Sequence, residues 1–204
     1  MPPQTGDLSL IESLRILEAV RTDEVVITAM GAAREWMTLG SHPLDFIFVP
    51  SSMGQATSLG LGMALAQPDR GIIVCNGDGS TLMNLGSLVT ITALAPKNLT
   101  LITLDNGVYE VTGAQETVAS TGRRANGGDV NLCEIARACG FESVYEFDGR
   151  ESWRSQVRDV LQNTGPTFVL LKVPPIPGAV GPKSPGPAPE RARQFMQAIG
   201  AGSK

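Results

Sequence analysis

The chain contains few of the residues that build disulfide frameworks and metal cages. Its 204 residues include three cysteines and one histidine, and no two cysteines are spaced as C-x-x-C. Structural zinc sites use four Cys or His ligands, and disulfide-rich proteins carry paired cysteines at regular spacings. The sequence therefore predicts reduced, buried thiols and excludes both kinds of framework.

Positive charge and long apolar runs are also scarce. The chain has 16 Lys and Arg against 20 Asp and Glu, which gives a formal net charge of -4 and a pI near 5.0. Binding to nucleic acid through phosphate neutralisation needs the opposite balance of charge. No apolar run reaches the roughly 18 to 20 residues of a membrane span, and the N-terminus shows no apolar core of a signal peptide. We expect a cytoplasmic protein that binds neither nucleic acid nor membranes.

Short apolar runs alternate with helical segments along most of the chain. Continuous apolar strands between helices favour a parallel sheet that is covered on both faces. The length suits one domain, so we predict a single three-layer α/β/α domain over 1–204 with a mostly parallel sheet of roughly six strands. A proline-rich arm is expected at 174–189. The predicted strands are 24–29, 46–49, 71–75, 99–104, 143–147 and 167–173, and the predicted helices are 8–20, 32–39, 55–66, 81–94, 130–139, 151–162 and 190–199.

The stretch 75–109 contains two candidate halves of one site. Asp78 follows the third predicted strand within a Gly-Asp-Gly-Ser turn, and Asn106 follows the fourth strand. Ligands of parallel sheets bind beyond the carboxyl ends of the strands, where both side chains are expected. A carboxylate, an amide oxygen and a backbone carbonyl form an incomplete octahedral set that suits Mg2+ shared with phosphate oxygens. Backbone N–H groups of the glycine turn favour an anion, so the pattern predicts a metal-bridged diphosphate.

The spacing of these residues resembles that of thiamine diphosphate-dependent enzymes. In that family Gly-Asp-Gly is followed after about 25 residues by Asn-Asn, and here the 25 residues 80–104 precede Asp105-Asn106, with Asp105 in place of the first Asn. The resemblance implies that Asp78, Asn106 and the main-chain oxygen of Val108 bind Mg2+. The Mg2+ would in turn bind the diphosphate of the cofactor.

Two further features agree with this resemblance. Met53 lies 25 residues before Asp78, where the family has a bulky apolar residue that supports the bent cofactor; an ordinary loop filler is the alternative. The Met30-Gly31 turn occupies the position of another loop that contacts the diphosphate, although a purely structural turn fits equally well. The residues expected to contact the cofactor are Met30, Gly31, Ser52, Met53, Gly77, Asp78, Gly79, Ser80, Asn106, Val108 and Tyr109.

A closer resemblance covers more than half of the chain. The segments SSMGQATSLGLGMAL, NGDGSTLMNLGSLVTI and APKNLTLITLDNGVYEVTGAQET resemble the beta subunit of sulfopyruvate decarboxylase and the C-terminal part of phosphonopyruvate decarboxylase. This implies a lyase subunit that decarboxylates a small 2-oxoacid with thiamine diphosphate and Mg2+. The chain departs from those families at Gln115-Glu116-Thr117, where they tend to have Gln-Pro-Thr, and in the arm GPKSPGPAPE, which lacks their Arg-Pro-Thr-like run. Both departures concern what the resemblance implies about the identity of the substrate.

No residue of this chain is assigned to proton transfer. The resemblance implies that a glutamate of a separate pyrimidine-binding domain activates the cofactor, and 204 residues leave no room for that domain. We therefore expect a separate alpha subunit, in an α2β2 or larger assembly. Tyr109, Glu110, Thr112 and Gln115 follow the metal site and are candidates for the substrate pocket, with an ordinary loop surface as the alternative.

Other functions stay open at this point. A thiamine-dependent carboligase similar to acetolactate synthase would share the cofactor, and a non-catalytic cofactor-binding module would share the fold. The chain has no iron–sulfur cysteines for a split oxidoreductase and no G-x-G-x-x-G after its first strand for nucleotide binding. His42 is expected in a solvated loop away from the site. Lys183 is expected to be solvated on the arm, with closure over an anionic substrate as the alternative.

Overall fold

The computed structural model describes residues 6–120 and 130–200. Six parallel strands form one sheet in the order β2-β1-β3-β4-β8-β7. These are β1 (Val25–Ala29), β2 (Asp45–Phe48), β3 (Ile72–Gly77), β4 (Leu99–Asp105), β7 (Ser143–Phe147) and β8 (Thr167–Lys172), and a two-stranded ribbon is formed by β5 (Val108–Tyr109) and β6 (Gln115–Glu116). The predicted parallel α/β sheet is confirmed.

Helices cover both faces of the sheet. Successive residues of β3 point to opposite sides, so that Ile73 belongs to the core cluster that contains Trp36 and Trp153, while Val74 belongs to the cluster that contains Leu88 and Leu101. Both faces of the central strands are therefore apolar, which explains their unbroken hydrophobic runs. The helices are α1 (Leu10–Val20), α2 (Met30–Leu39), α3 (Gln55–Ala66), α4 (Asp78–Met83), α5 (Gly86–Leu94), α6 (Leu132–Ala138), α7 (Arg150–Leu161) and α8 (Ala188–Ala198).

The small residues of α3 allow this helix to lie close to the sheet. A Cβ atom on Gly60 would come within 2.2 Å of Val74 Cγ2. Ala56 and Ala64 are 1% exposed on the same side of the helix. Any larger side chain at position 60 would push α3 away from β3 and disturb the loop that enters the helix.

The helix expected at 81–94 is wrong as a single element. The structure begins α4 at Asp78 and ends it at Met83, and α5 starts at Gly86 after a turn. Asn84 occupies this break and donates from Nδ2 to the carbonyl of Gly54 at 2.9 Å. The break therefore places Asn84 where it can bind the loop before α3. This tertiary contact has no counterpart in the local sequence pattern.

Smaller differences concern the ends of elements. Helix α2 begins at Met30 rather than 32, and Met30 itself has a left-handed φ of 54°. Helix α1 begins at Leu10 rather than 8, and the side chain of Ser9 caps it by accepting from the backbone N–H of Glu12. The short strand β6 follows the turn at 110–114, and 121–129 lie outside the described residues.

The proline-rich arm is bound to the body of the domain. Residues 174–187 form no helix or strand, and α8 follows with Pro189 in its first turn. Arg191 of α8 donates to the carbonyls of Ile47 and Val49. Phe195 packs edge-on against Phe46, with ring centroids 5.0 Å apart. These contacts hold the arm and its helix beside β2.

Candidate active site

The predicted halves of the site meet at the carboxyl ends of two neighbouring strands. β3 pairs with β4 in parallel register, with Gly77 opposite Leu104, so the turns that follow both strands open on the same cleft. The cleft is open to solvent, and the empty space within and in front of it amounts to about 570 Å3. It is lined by Leu10, Met30, Gly31, Ala32, Met53, Gly77, Asp78, Gly79, Ser80, Leu104, Asn106, Val108, Tyr109, Glu110, Val111, Thr112 and Val173.

Asp78 is a buried carboxylate with an unused oxygen. The residue is 2% exposed at the start of α4, and its Oδ2 atom has no hydrogen-bond partner among residues 6–120 and 130–200. Burial and the nearby charge of Asp105 together raise the pKa of Asp78 to about 7, against the opposing effects of the Gly79 N–H group, the nearby hydroxyl of Thr117 and the Asn106 N–H group. A buried carboxylate without a partner is costly, and a bound cation would remove that cost.

Asn106 has a fixed orientation above β4. Its Oδ1 accepts from the backbone N–H of Val108 at 3.0 Å, and its Nδ2 donates to Glu110 Oε1 at 3.3 Å. The amide oxygen retains a second lone pair. The turn that holds Asn106 also leads directly into β5, which brings the backbone of Val108 to the same cleft.

The two glycines that flank Asp78 have different surroundings. A Cβ atom on Gly79 would lie 2.5 Å from Tyr109 Cε1, so the tyrosine ring packs directly against this turn. A Cβ atom on Gly77 would meet no protein atom within 4 Å, although Gly77 lines the cleft. Gly79 is therefore required by packing, whereas Gly77 borders open space that a ligand can fill.

Met53 lines the cleft from the loop before α3. The next residue, Gly54, has a left-handed φ of 85°, and a Cβ atom there would lie 3.0 Å from Asn84 Cβ. The bond from Asn84 to the Gly54 carbonyl fixes this loop against the break between α4 and α5. Sequence analysis missed Asn84, since its role depends on a contact 30 positions away.

The candidates for the substrate pocket separate into two groups. Tyr109, Glu110 and Thr112 line the cleft, whereas Gln115 does not. Gln115 is exposed in the ribbon and exchanges hydrogen bonds with Thr112. Ser52, expected to contact the cofactor, is exposed and also does not line the cleft.

Glu110 is buried and engaged by protein groups. Its Oε2 atom forms an ion pair with Arg34 at 2.9 Å, and its Oε1 atom accepts from the backbone N–H of Ile176 at 2.7 Å. Arg34 was not identified from the sequence, because 76 residues separate it from Glu110. No spacing within either segment predicts the pair.

The remaining polar candidates lie elsewhere. His42 is exposed at the amino end of the sheet, where its Nδ1 atom lies 2.7 Å from Arg21 Nη2. Lys183 is exposed on the arm. Cys75 and Cys133 are free and buried, as predicted, and burial raises the pKa of each thiol to about 12. Cys139 is also free, but it is only partly buried, so the prediction of burial is wrong for this residue.

The donors in the cleft fit a hard cation that shares its ligands with another molecule. Asp78 Oδ2 and the amide oxygen of Asn106 are hard oxygen donors of the kind that Mg2+ prefers. Among the described residues no cluster of three or more His, Cys, Asp or Glu could hold a metal ion by itself. In the same part of the chain, no helix is long and apolar enough to cross a membrane.

Comparison with known proteins identifies relatives over most of the chain. Residues 28–171 match the family described as thiamine pyrophosphate enzyme, C-terminal TPP binding domain. Phosphonopyruvate decarboxylase of Streptomyces viridochromogenes is 37% identical over 93% of this chain and 46% of its own length. Subunit beta of sulfopyruvate decarboxylase from Methanothermobacter thermautotrophicus is 40% identical over 70% of this chain and 78% of its own.

A solved structure shows the same fold. The crystal structure of a candidate thiamin diphosphate-dependent enzyme from Mycobacterium smegmatis superimposes with a TM-score of 0.68 at 20% identity, over 83% of this chain and 32% of that one. The chain also spans about half the length of the phosphonopyruvate decarboxylases that it matches. The matched region contains both turns that carry Asp78 and Asn106.

Proposed function

Because this chain belongs to the thiamine pyrophosphate enzymes, through their C-terminal TPP binding domain, we propose that it is a subunit of a thiamine diphosphate- and Mg2+-dependent 2-oxoacid decarboxylase. The observation that carries the proposal is the buried, unpartnered oxygen of Asp78 beside the Asn106 amide, at the mouth of a cleft. Relatives named as decarboxylases, at 37 to 40% identity, support this reaction.

Different residues of the cleft would contact different parts of the cofactor. Asp78, Asn106 and the main-chain oxygen of Val108 would bind Mg2+, which neutralises the diphosphate. Gly77 provides open space, and the turn up to Ser80 provides backbone N–H groups. The apolar side chain of Met53 would support the ring system. Met30, Gly31 and Tyr109 complete the proposed cofactor contacts, and bound thiamine diphosphate supplies the electron sink for cleavage of a carbon–carbon bond next to a carbonyl.

The carboxylates of the cleft leave no group for activating the cofactor. Asp78 and Glu110 are the acidic side chains that line the cleft within 6–120 and 130–200. Asp78 is assigned to the metal, and Glu110 is paired with Arg34 and Ile176. We therefore propose that an alpha subunit contributes the activating glutamate, in an α2β2 or larger assembly. The name of the archaeal relative, a subunit beta, supports a divided enzyme.

The substrate proposed from these relatives is a small 2-oxoacid that bears a second anionic group, such as sulfopyruvate or phosphonopyruvate. Co-expression with a pyrimidine-domain partner, followed by an assay of carbon dioxide release from a panel of 2-oxoacids, tests this directly. We expect carbon dioxide and an aldehyde only when both chains, thiamine diphosphate and Mg2+ are present.

Other results would overturn parts of the proposal. Formation of acetolactate from pyruvate would make the protein a carboligase. Decarboxylation by the purified chain alone would refute the alpha subunit. Binding of the cofactor without any turnover by the complex would favour a non-catalytic module. A cytoplasmic location stays part of the proposal and is tested by cell fractionation.

A further inference from the structure

Glu110 is a buried carboxylate outside the proposed metal ligands. Its side chain is 6% exposed, and it follows β5 in a short turn at the wall of the cleft. Oε2 pairs with Arg34, while Oε1 accepts from Ile176 N and Asn106 Nδ2. Both oxygens are therefore in use, which leaves Glu110 poorly suited to bind substrate or to transfer a proton.

The bond to Asn106 decides which end of the amide faces the cleft. A carboxylate accepts hydrogen bonds and has none to donate, so the amide nitrogen of Asn106 must face Glu110 and the oxygen must face away. The N–H of Val108 fixes the oxygen from the other side, at 3.0 Å. An amide turned by 180° would present an N–H group to a cation, which repels it.

The charge of Glu110 is balanced by Arg34, and Arg34 ties this site to the arm. Arg34 Nη1 donates to the carbonyl of Val180 at 3.0 Å, and Nε pairs with Glu35 Oε1 at 2.8 Å. Since Glu110 also accepts from Ile176, two residues of the arm are held by one ion pair. The arm, helix α2 and the loop after β4 thus share Glu110 as a common anchor.

We propose that Glu110 is a positioning residue that holds the Asn106 amide with its oxygen toward the metal. This inference rests on the proposed function, because it assumes that Asn106 binds Mg2+. Glu110 acts through Asn106 and does not touch the metal itself. Its ion pair with Arg34 balances its charge inside the protein and holds its Oε1 atom toward the Asn106 amide.

The first test compares two isosteric substitutions around Arg34. Glu110→Gln removes the pure acceptor beside Asn106, and Glu35→Gln removes the other acidic partner of Arg34, which has no contact with Asn106. Calorimetric titration of the full chain with thiamine diphosphate at several Mg2+ concentrations gives the apparent Mg2+ affinity. We expect at least a tenfold loss for Glu110→Gln and no change for Glu35→Gln. Equal affinities for the two variants would overturn the proposal.

The second test is a rescue that a merely structural role would not show. Combining Glu110→Gln with Asn106→Asp places the amide at position 110 and the carboxylate at position 106. The carboxylate presents an oxygen to the metal whichever way it is rotated. We expect the double variant to bind Mg2+ at least several-fold more tightly than Glu110→Gln alone. No recovery would contradict the positioning role.

Two controls separate the possible failures. Melting temperatures establish that the variants fold. If Glu110→Gln unfolds, Glu110→Asp replaces it, because this substitution keeps the charge but shortens the reach to Asn106. Glu110→Asp should also lose Mg2+ affinity, and an unchanged affinity would overturn the proposal. A wild-type chain without any Mg2+-dependent cofactor binding would refute the proposed function itself. Wild-type binding together with unaffected Glu110 variants would refute only the role of Glu110.

Discussion

Two buried aspartates lie at opposite ends of the sheet and have opposite surroundings. Asp45, at the amino end of β2, pairs with Arg21 at 2.7 Å and accepts from the N–H of His42 at 2.9 Å. Asp78, at the carboxyl end of β3, is 2% exposed, and its Oδ2 atom has no hydrogen-bond partner in the part of the chain that the structure describes. Both oxygens of the first carboxylate are paired by the protein, whereas one oxygen of the second is available to a bound cation.

This difference separates a structural acid from a functional one. Burial of a charge is costly unless the charge is paired, so a protein gains nothing in stability from leaving Asp78 unpaired. The proposed metal accounts for such a group, because a bound cation would pair the free oxygen. The comparison therefore predicts that changes at the two aspartates affect different properties of the protein.

The largest effect is expected for Asp45→Ala. The substitution leaves Arg21, whose side chain is 5% exposed, as a buried charge without its carboxylate, which costs about 3 to 5 kcal/mol of unfolding free energy. Urea unfolding measures the loss, with Glu12→Ala, which removes an exposed pair with Arg15, as a control that changes little. Cofactor affinity of the folded variant should stay unchanged; a loss would show that the two ends are not independent.

Asp78→Asn should give the reverse pattern. Removing the charged metal ligand is expected to weaken Mg2+-dependent binding of thiamine diphosphate by about 100-fold, or about 2.7 kcal/mol, without destabilising the metal-free protein at pH 8. Isothermal titration and thermal melts measure the two properties. An unfolded variant, or one with wild-type affinity, would remove Asp78 from the proposed site.

The metal-free protein should become less stable as the pH rises through the range in which Asp78 ionises. Its pKa is raised from 3.8 to about 7 in the folded state, so the folded protein binds this proton more tightly than the unfolded chain does. The stability that the proton contributes is complete only below the unfolded pKa of 3.8 and is lost as the pH rises through about 7, so on the order of 2 kcal/mol disappears between pH 5 and pH 8. Urea unfolding at both values measures it, and Asp78→Asn should abolish this component of the pH dependence. An unchanged pH dependence in the variant would contradict the assignment.

Gly77→Ala should impair binding without affecting the fold. The new methyl group would contact no protein atom and would occupy the cleft, so we expect about a tenfold loss of cofactor affinity, or about 1.4 kcal/mol. Gly62→Ala is the matched control, because its methyl group also enters open space but on the outer surface of α3. Equal affinities in the two variants would show that no ligand fills the space beside Gly77.

The sheet, and the position of Asp78 and Asn106 on one cleft, could be predicted from the sequence, because buried strands have unbroken apolar runs and neighbouring parallel strands end at one edge. Features that depend on contacts between distant segments could not be predicted. At the break between α4 and α5, Asn84 donates to the carbonyl of Gly54, and the Arg34–Glu110 ion pair joins residues 76 positions apart. Neither contact leaves a pattern in the local sequence. Gln115 is exposed because it lies in a ribbon whose two strands have only two residues each.

A crystal structure of the full chain grown with thiamine diphosphate, and with Mn2+ in place of Mg2+, would show whether Asp78 and Asn106 bind the metal. Anomalous scattering locates the manganese independently of any model of the ligand. The account predicts a single peak about 2.0 to 2.2 Å from Asp78 Oδ2 and from the Asn106 amide oxygen, bridging to the diphosphate. Cofactor bound with the metal away from both side chains would contradict it.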